Sequence, residues 1–367
     1  MANSAPTTIL ANTSDANHAP EILEKLVHQA AIARASDIHL QMRGTTAEIA
    51  FRLDGVIAPV ATLPATTAER VFGRIKFLAR LKTYQDSMPQ DGRIEHVEIH
   101  SAQDIRVASY PTVTGEKIVL RLFNSSAVKS VHELGLPVDA SSALQIFLRQ
   151  TAGLLLLTGP AGSGKTTTIY ACLRHLAELG GRHIITVEDP VEQIVPGTMQ
   201  TEVNEAIGLD FARAARHLLR QDPQVLILGE IRDEETANLA VRAGLTGHLV
   251  ISTLHAGSCR GVLERLLVMC ADLSAVATAV ELVFNQRLVR KLCNECHGAK
   301  CPACLQTGYQ GRVPLVEWLR LTELIRSQIR ARELTSILPE VSLADSAREL
   351  LIQGRSNELE MKRILGS

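Results

Sequence analysis

The chain has 367 residues, 46% hydrophobic and 21% charged, with 38 Lys plus Arg against 39 Asp plus Glu and a formal net charge of −1. That length corresponds to about two domains and is long enough to bury a core without disulfide or metal support. Balanced charge and 3% aromatic residues argue against a nucleic-acid coat or translocase, which needs a basic face and stacking platforms.

Residues 1–20, rich in Ala, Asn, Thr and Ser, have neither a basic nor an apolar signal region and read as a disordered leader. From Glu21 to Ala35 apolar residues recur at helical spacing. Asp37–Leu40 and Glu48–Leu53 then alternate as half-buried strands do, with Asp54-Gly55 as a turn. Glu69–Leu81 returns to helical spacing, and Arg93–Ile99, Asp104–Ala108 and Lys117–Leu122 read as further strands. The expectation is a small α+β domain over 21–123, a linker over 124–137, and a C-terminal domain over 138–367.

Beyond the linker, short apolar runs at Leu154–Leu157, Ile184–Val187, Val225–Leu228 and Leu249–Ile251 alternate with helical segments. Such runs are parallel strands covered on both faces, as in an α/β sheet. The longest falls far short of the roughly 18 apolar residues a spanning helix requires. The tail from Leu321 to Ser367 reads as helices separated by two turn regions. Seven cysteines without a secretory signal point to the cytosol, or the cytosolic face of a membrane, where Cys clusters mean metal or chemistry more often than disulfides.

Gly159-Pro160-Ala161-Gly162-Ser163-Gly164-Lys165-Thr166, followed by Thr167, fits G-x-x-x-x-G-K-[ST] between a strand and a helix ending at Gly180-Gly181. Glycines let backbone N–H groups wrap a phosphate at the positive end of a helix. Lys165 is placed to reach the β- and γ-phosphates and Thr166 to ligate Mg²⁺, so the chain is expected to bind a nucleoside triphosphate such as ATP. In an open parallel sheet the ligand lies outside the carboxyl ends of the strands. Those ends carry Glu188-Asp189-Pro190-Val191-Glu192, Gly229-Glu230-Ile231-Arg232-Asp233 and Ser252-Thr253-Leu254-His255. Phosphoanhydride hydrolysis needs such groups: a metal partner, a water-orienting group and a γ-phosphate contact.

These segments, in this order, resemble the boxes of the type II secretion and type IV pilus ATPase superfamily: Walker A at Gly159–Thr166, the aspartate box at Ile185–Glu192, Walker B at Val225–Thr236 and the histidine box at Thr246–Ser258. Ala35–His39, Phe51–Gly55 and Gln90–Ile94 resemble the family's first domain. The resemblance implies an α/β fold, a RecA-like P-loop ATPase domain preceded by a small α+β (PAS-like) domain. It implies Glu188 as the catalytic glutamate that polarises water, Glu230 as the Walker B partner of Mg²⁺ alongside Thr166, and His255 as the γ-phosphate sensor, with His248 the other histidine of its box. Arg93 and Arg106 match family arginines that reach the phosphates as the first domain closes, and a planar, always-charged guanidinium suits that task.

The family forms hexameric rings that turn an inner-membrane platform protein; this implies a homohexamer at the cytoplasmic side of that membrane, while the few aromatic residues and balanced charge predict no direct nucleic-acid partner. Assembly members often carry an additional N-terminal domain, which is expected to be missing here, and in length the chain resembles retraction-type and short competence-type members.

Cys293-x2-Cys296-x4-Cys301-x2-Cys304 is a pair of C-x-x-C knuckles within the C-terminal domain as bounded above. Two knuckles supply four thiolates for tetrahedral Zn²⁺, Gly298 can turn the chain between them and His297 offers a substitute ligand; metal-free thiols are the alternative. Cys172, Cys259 and Cys270 sit on or near helices as packing residues. A comparable tetracysteine module marks assembly members of the family, which favours pilus assembly or type II secretion. A retraction or DNA-uptake motor, and a nucleotide-gated regulatory module with little hydrolysis, are the competing readings.

Overall fold

The computed structural model describes residues 19–99, 104–122 and 129–366. Nearly all of the expected leader, and the part of the expected linker up to residue 128, lie outside the described residues. The chain divides into two units: residues 1–127 with 290–311, and residues 128–289 with 312–367.

The first unit opens with α1 (Ala19–Ile32), whose Ile22, Leu23, Leu26, Val27 and Ala30 are buried. Then come β1 (Asp37–Arg43), β2 (Thr46–Leu53), β3 (Val56–Pro64), α2 (Ala65–Leu78), β4 (Gln90–Ile94), β5 (Ile105–Thr112) and β6 (Gly115–Leu122). They form a sheet in the order β3-β2-β1-β6-β5-β4, antiparallel throughout. Ile38 and Leu40, Ile49 and Phe51, and Ile118 and Leu120 are fully buried at period two and share one core with α1 and α2.

Two strands depart from the sequence expectation. β3 was not expected, because Pro59 and Pro64 interrupt its pattern; it lies at the sheet edge, and the register shifts where Ala50 meets Pro59. An edge bulge is where a strand tolerates proline. The strand expected over Arg93–Ile99 stops at Ile94 and gives way to a 3₁₀ turn at His96–Glu98. There the Asp104 carboxylate accepts from the His96 backbone N–H (2.7 Å) and from Nδ1 (2.8 Å), removing a donor that a ladder would need.

The tetracysteine segment differs in its placement. Sequence reading put 293–304 in the C-terminal domain, whereas residues 290–311 belong with the first unit. Leu305 packs against that unit's core, and the Gly311 N–H donates to Asp54 Oδ2 (2.7 Å) at the Asp54-Gly55 turn. So short a segment has too few apolar residues for a core of its own, and it borrows one distant in sequence.

The second unit contains α3 (Val138–Arg149), β7 (Gly153–Thr158), α4 (Lys165–Leu179), β8 (Ile184–Glu188), β9 (Met199–Glu202), α5 (Phe211–Leu218), β10 (Val225–Leu228), α6 (Glu234–Leu245), β11 (Leu249–Thr253), α7 (Cys259–Met269) and α8 (Leu273–Ala279). β12 (Val280–Leu292) and β13 (Tyr309–Arg320) follow, with residues 280–289 and 312–320 in this unit, and then α9 (Glu323–Arg330), α10 (Leu343–Ile352) and α11 (Glu358–Leu365). The sheet order is β13-β12-β7-β11-β10-β8-β9, parallel from β12 to β9.

Both faces of this sheet are covered. Leu154, Leu156, Val187, Leu228 and Val250 enter one apolar cluster, and Leu155, Leu157, Ile184, Ile227 and Ile251 the other. That explains the unbroken apolar runs of β7, β8, β10 and β11. β12, β13 and the short β9 were not expected; Asn285 and Gln286 are buried inside β12, and polar residues there break the apolar signal. Cys172, Cys259 and Cys270 are buried, as packing residues should be. Among the described residues no helix is long and apolar enough to cross a membrane.

Candidate active site

β7 delivers the chain into a loop that only glycine can form. Gly159, Gly162 and Gly164 have φ of +139°, +72° and +94°, in the region L-residues avoid. At Gly159 a Cβ would lie 2.3 Å from the Gln286 carbonyl of β12, so that strand closes the loop from one side. α4 then begins at Lys165, whose Nζ donates to the Gly159 (2.8 Å) and Pro160 (3.1 Å) carbonyls. Burial lowers the Lys165 pKa from its ordinary value; Glu230 opposes this and Arg287 adds to it.

Three other strand ends reach the same place. A cavity of about 240 Å³ is lined by Lys165 and Thr166, by Glu188 at the end of β8, by Glu230 and Arg232 beyond β10, and by His255 beyond β11. Parallel neighbours ending level with one another make this convergence unavoidable. Short links set the loops: the Gly229 N–H donates to Val187 O (2.8 Å), Thr253 Oγ1 to Gly229 O (2.7 Å), and the Ala256 N–H to Thr158 Oγ1 (2.8 Å).

Within the cavity Glu230 is shared. Its Oε1 lies 2.9 Å from His255 Nε2, and its Oε2 accepts from Arg232 Nε (2.9 Å). Arg232 also reaches Asp189 (3.4 Å) and lies over the Phe211 ring. Thr166 and Glu230 offer hard oxygen donors suited to Mg²⁺ beside a phosphate loop. Glu188, only 7% exposed, sits in a cradle of donors: Thr186 Oγ1 (2.5 Å) and Gln200 Nε2 (3.0 Å) on Oε1, and the Tyr170 hydroxyl on Oε2. Sequence reading missed Tyr170, Thr186, Gln200 and Arg232 as site residues. Arg232 was visible beside Glu230 in the Walker B segment; Tyr170 and Gln200 carry no local signal, because their partners come from other elements.

His248 lies at the opposite, amino end of β11, hydrogen-bonded to Thr246 Oγ1 (3.2 Å) and Ala243 O (3.1 Å), and does not line the cavity. Arg93 and Arg106 belong to the first unit, directly opposite one another on β4 and β5. Arg93 Nε is bound to Asp104 (2.6 Å). Hydrogen bonds from the His96 backbone, the His96 ring and Arg93 together hold the Asp104 carboxyl at about 2. These groups border a more open depression of about 510 Å³. It has no phosphate loop, so the smaller cavity is the better candidate for chemistry.

The four knuckle cysteines also converge, with all four sulfurs within 4.8 Å of one another. Cys293–Cys301 and Cys296–Cys304 are 3.8 Å apart and Cys301–Cys304 3.7 Å. Four thiolates at about 2.3 Å from one Zn²⁺ define a tetrahedron with edges of about 3.8 Å. The Cys301 and Gly308 N–H groups donate to Cys304 Sγ, which suits a thiolate. The donor set therefore fits zinc, with His297 outside it and Gly298 turning the chain at φ +94°.

Residues 12–363 match the sequence profile of the family described as "Type II/IV secretion system protein". The chain is 38% identical over 356 residues to the type II secretion system protein HxcR of Pseudomonas aeruginosa, covering 95% of this chain and 76% of that one. Among solved structures it resembles the pilus retraction motor PilT, with a TM-score of 0.63, 26% identity, and 92% of this chain and 95% of that one covered. It also resembles the Legionella pneumophila ATPase DotB, with a TM-score of 0.72, 20% identity and 98% of each chain covered. The fold is thus the α/β, RecA-like ATPase fold.

Proposed function

Because the chain belongs to the type II/IV secretion system protein family and is an ATPase, we propose that it drives pilus assembly or type II secretion as a cytoplasmic homohexamer working on an inner-membrane platform protein. The observation that carries this reading is the convergence of Glu188, Glu230 and His255, from three strand ends, on the cavity of Lys165.

In this reading the loop N–H groups from Gly159 to Thr167 and the Lys165 ammonium hold the β- and γ-phosphates. Thr166 and Glu230 hold Mg²⁺, which neutralises charge on the phosphate oxygens. Glu188 orients and polarises the attacking water, and His255, held by Glu230, contacts the γ-phosphate. Arg93 and Arg106 supply further phosphate contacts, as in the family. Cys293, Cys296, Cys301 and Cys304 hold a structural Zn²⁺. That module, and identity to a type II secretion protein, support assembly or secretion over retraction.

The test is ATP turnover and nucleotide binding by purified variants. Glu188→Gln keeps size but loses the charge that polarises water; kcat should fall by about 10²-fold or more with ATP affinity nearly unchanged. Lys165→Ala should lose affinity as well. Undiminished phosphate release by Glu188→Gln removes Glu188 from the chemistry, and wild-type turnover by Arg93→Ala or Arg106→Ala in the assembled enzyme removes that arginine. In a deletion strain complemented with Lys165→Ala, loss of pili or secretion supports assembly, whereas hyperpiliation reverses the direction of the motor.

A further inference from the structure

The phenol of Tyr170 occupies a junction of three elements. It projects from α4, the helix that begins with Lys165 and Thr166. Its hydroxyl donates to Glu188 Oε2 and accepts from the backbone N–H groups of Glu192 (3.0 Å) and Gln193 (3.1 Å). The residue is 6% exposed and the Arg174 guanidinium lies 5.8 Å from its ring centroid.

The proton's direction follows from this inventory. A phenol has one proton, and two of its three partners here are themselves donors. The proton must therefore point at Glu188. Burial, reinforced by the Glu188 carboxylate, raises the Tyr170 pKa far above its ordinary value, so the hydroxyl remains a donor throughout the working pH range.

Counting acceptor sites on Glu188 extends the point. A carboxylate has about four lone-pair sites, two per oxygen. Thr186 and Gln200 take both sites of Oε1. Tyr170 takes one site of Oε2; among the described residues no other donor reaches that oxygen, so its second site is open to a water. The phenol therefore decides where that last site aims.

We propose that Tyr170 is a positioning residue: it locks the orientation of Glu188 Oε2, and through α4 it ties that orientation to the backbone that grips the phosphates. The two ends of the reaction, the phosphoryl group and the water facing it, are then held by one rigid helix. Lys165 and Tyr170 are five residues apart, which at 1.5 Å per residue is about 7.5 Å along the axis. This inference rests on the water-orienting role given to Glu188 above.

Tyr170→Phe tests it, because Phe keeps the ring and its packing. In Tyr170→Phe, kcat should fall about tenfold or more, with KM for ATP and direct nucleotide affinity within about threefold of wild type. The double variant Tyr170→Phe/Glu188→Gln should turn over no more slowly than Glu188→Gln, since a residue acting through Glu188 has nothing left to act on. A 4-aminophenylalanine at position 170 returns an N–H donor and should restore at least about a third of the lost turnover, a rescue that also serves if Phe impairs folding. Wild-type kcat for Tyr170→Phe, a loss confined to KM, multiplicative loss in the double variant, or no rescue by the amine would each overturn the assignment. If Glu188→Gln itself turns over normally, it is the reading of Glu188 that fails, a result distinct from these.

Discussion

At the scale of single residues, the phosphate loop depends on where a Cβ can and cannot go. Gly159 and Gly162 both have positive φ, but their surroundings differ: a Cβ at Gly159 would meet the Gln286 carbonyl at 2.3 Å and Ser163 Oγ at 2.7 Å, while Gly162 faces open space. Gly159→Ala must displace backbone, so it should abolish measurable ATP binding and lower stability by more than about 2 kcal/mol. Gly162→Ala meets only the left-handed backbone penalty of about 1–2 kcal/mol. Thermal melts and nucleotide titration of the two proteins compare them directly. Equal effects would mean that the loop, and not β12 behind it, sets the requirement. The glycine pattern was legible in the sequence; which glycine is jammed against a distant carbonyl was not.

At the scale of elements, the first unit's sheet is tied together at one carboxylate. Asp37 on β1 lies opposite Arg52 on β2 and Arg121 on β6, with Nε to carboxylate distances of 3.2 Å and 3.1 Å. Burial raises its pKa, but the Ser36 hydroxyl, Arg121 and Arg52 outweigh this, and the net shift is downward. A depressed folded pKa means that the folded protein binds the proton less well than the unfolded chain. The stabilisation is therefore complete above the unfolded value of about 3.9 and is lost as pH falls through the lower folded value. Asp37→Asn should cost about 1–3 kcal/mol at pH 7 by urea denaturation. The gap to wild type should close towards pH 3; a gap of the same size at both pH values would refute the electrostatic account. The alternation of β1, β2 and β6 could be read locally, but their shared carboxylate depends on register between strands up to 84 residues apart.

At the scale of the whole molecule, the cysteine knuckles join the first unit across a long excursion of chain, since residues 290–311 belong with 1–127. Zinc at Cys293, Cys296, Cys301 and Cys304 would stabilise that arrangement by binding only the folded geometry. Purified protein should carry about one zinc per chain by elemental analysis. Stripping it with a chelator, or Cys293→Ser, should lower the melting temperature by several degrees. Zinc far below one equivalent in protein never exposed to chelator, with an unchanged melt after chelation, would leave the thiols metal-free. The cysteine spacing announced a cluster of four thiols, while its membership of the first unit came only from packing.

The sequence by itself determined the phosphate loop, the four central parallel strands and the order of the acidic and histidine boxes. Each of these is written in contiguous residues: glycines where φ must be positive, apolar runs where both faces are covered, polar groups directly after a strand. Only the tertiary structure decided that Pro59 sits in an edge strand, that polar Asn285 and Gln286 are buried in β12, that His248 stands at the far end of β11 from the cavity, and that Tyr170 grips Glu188. In each case the deciding partner lies on another element, so no local period or spacing carries the signal.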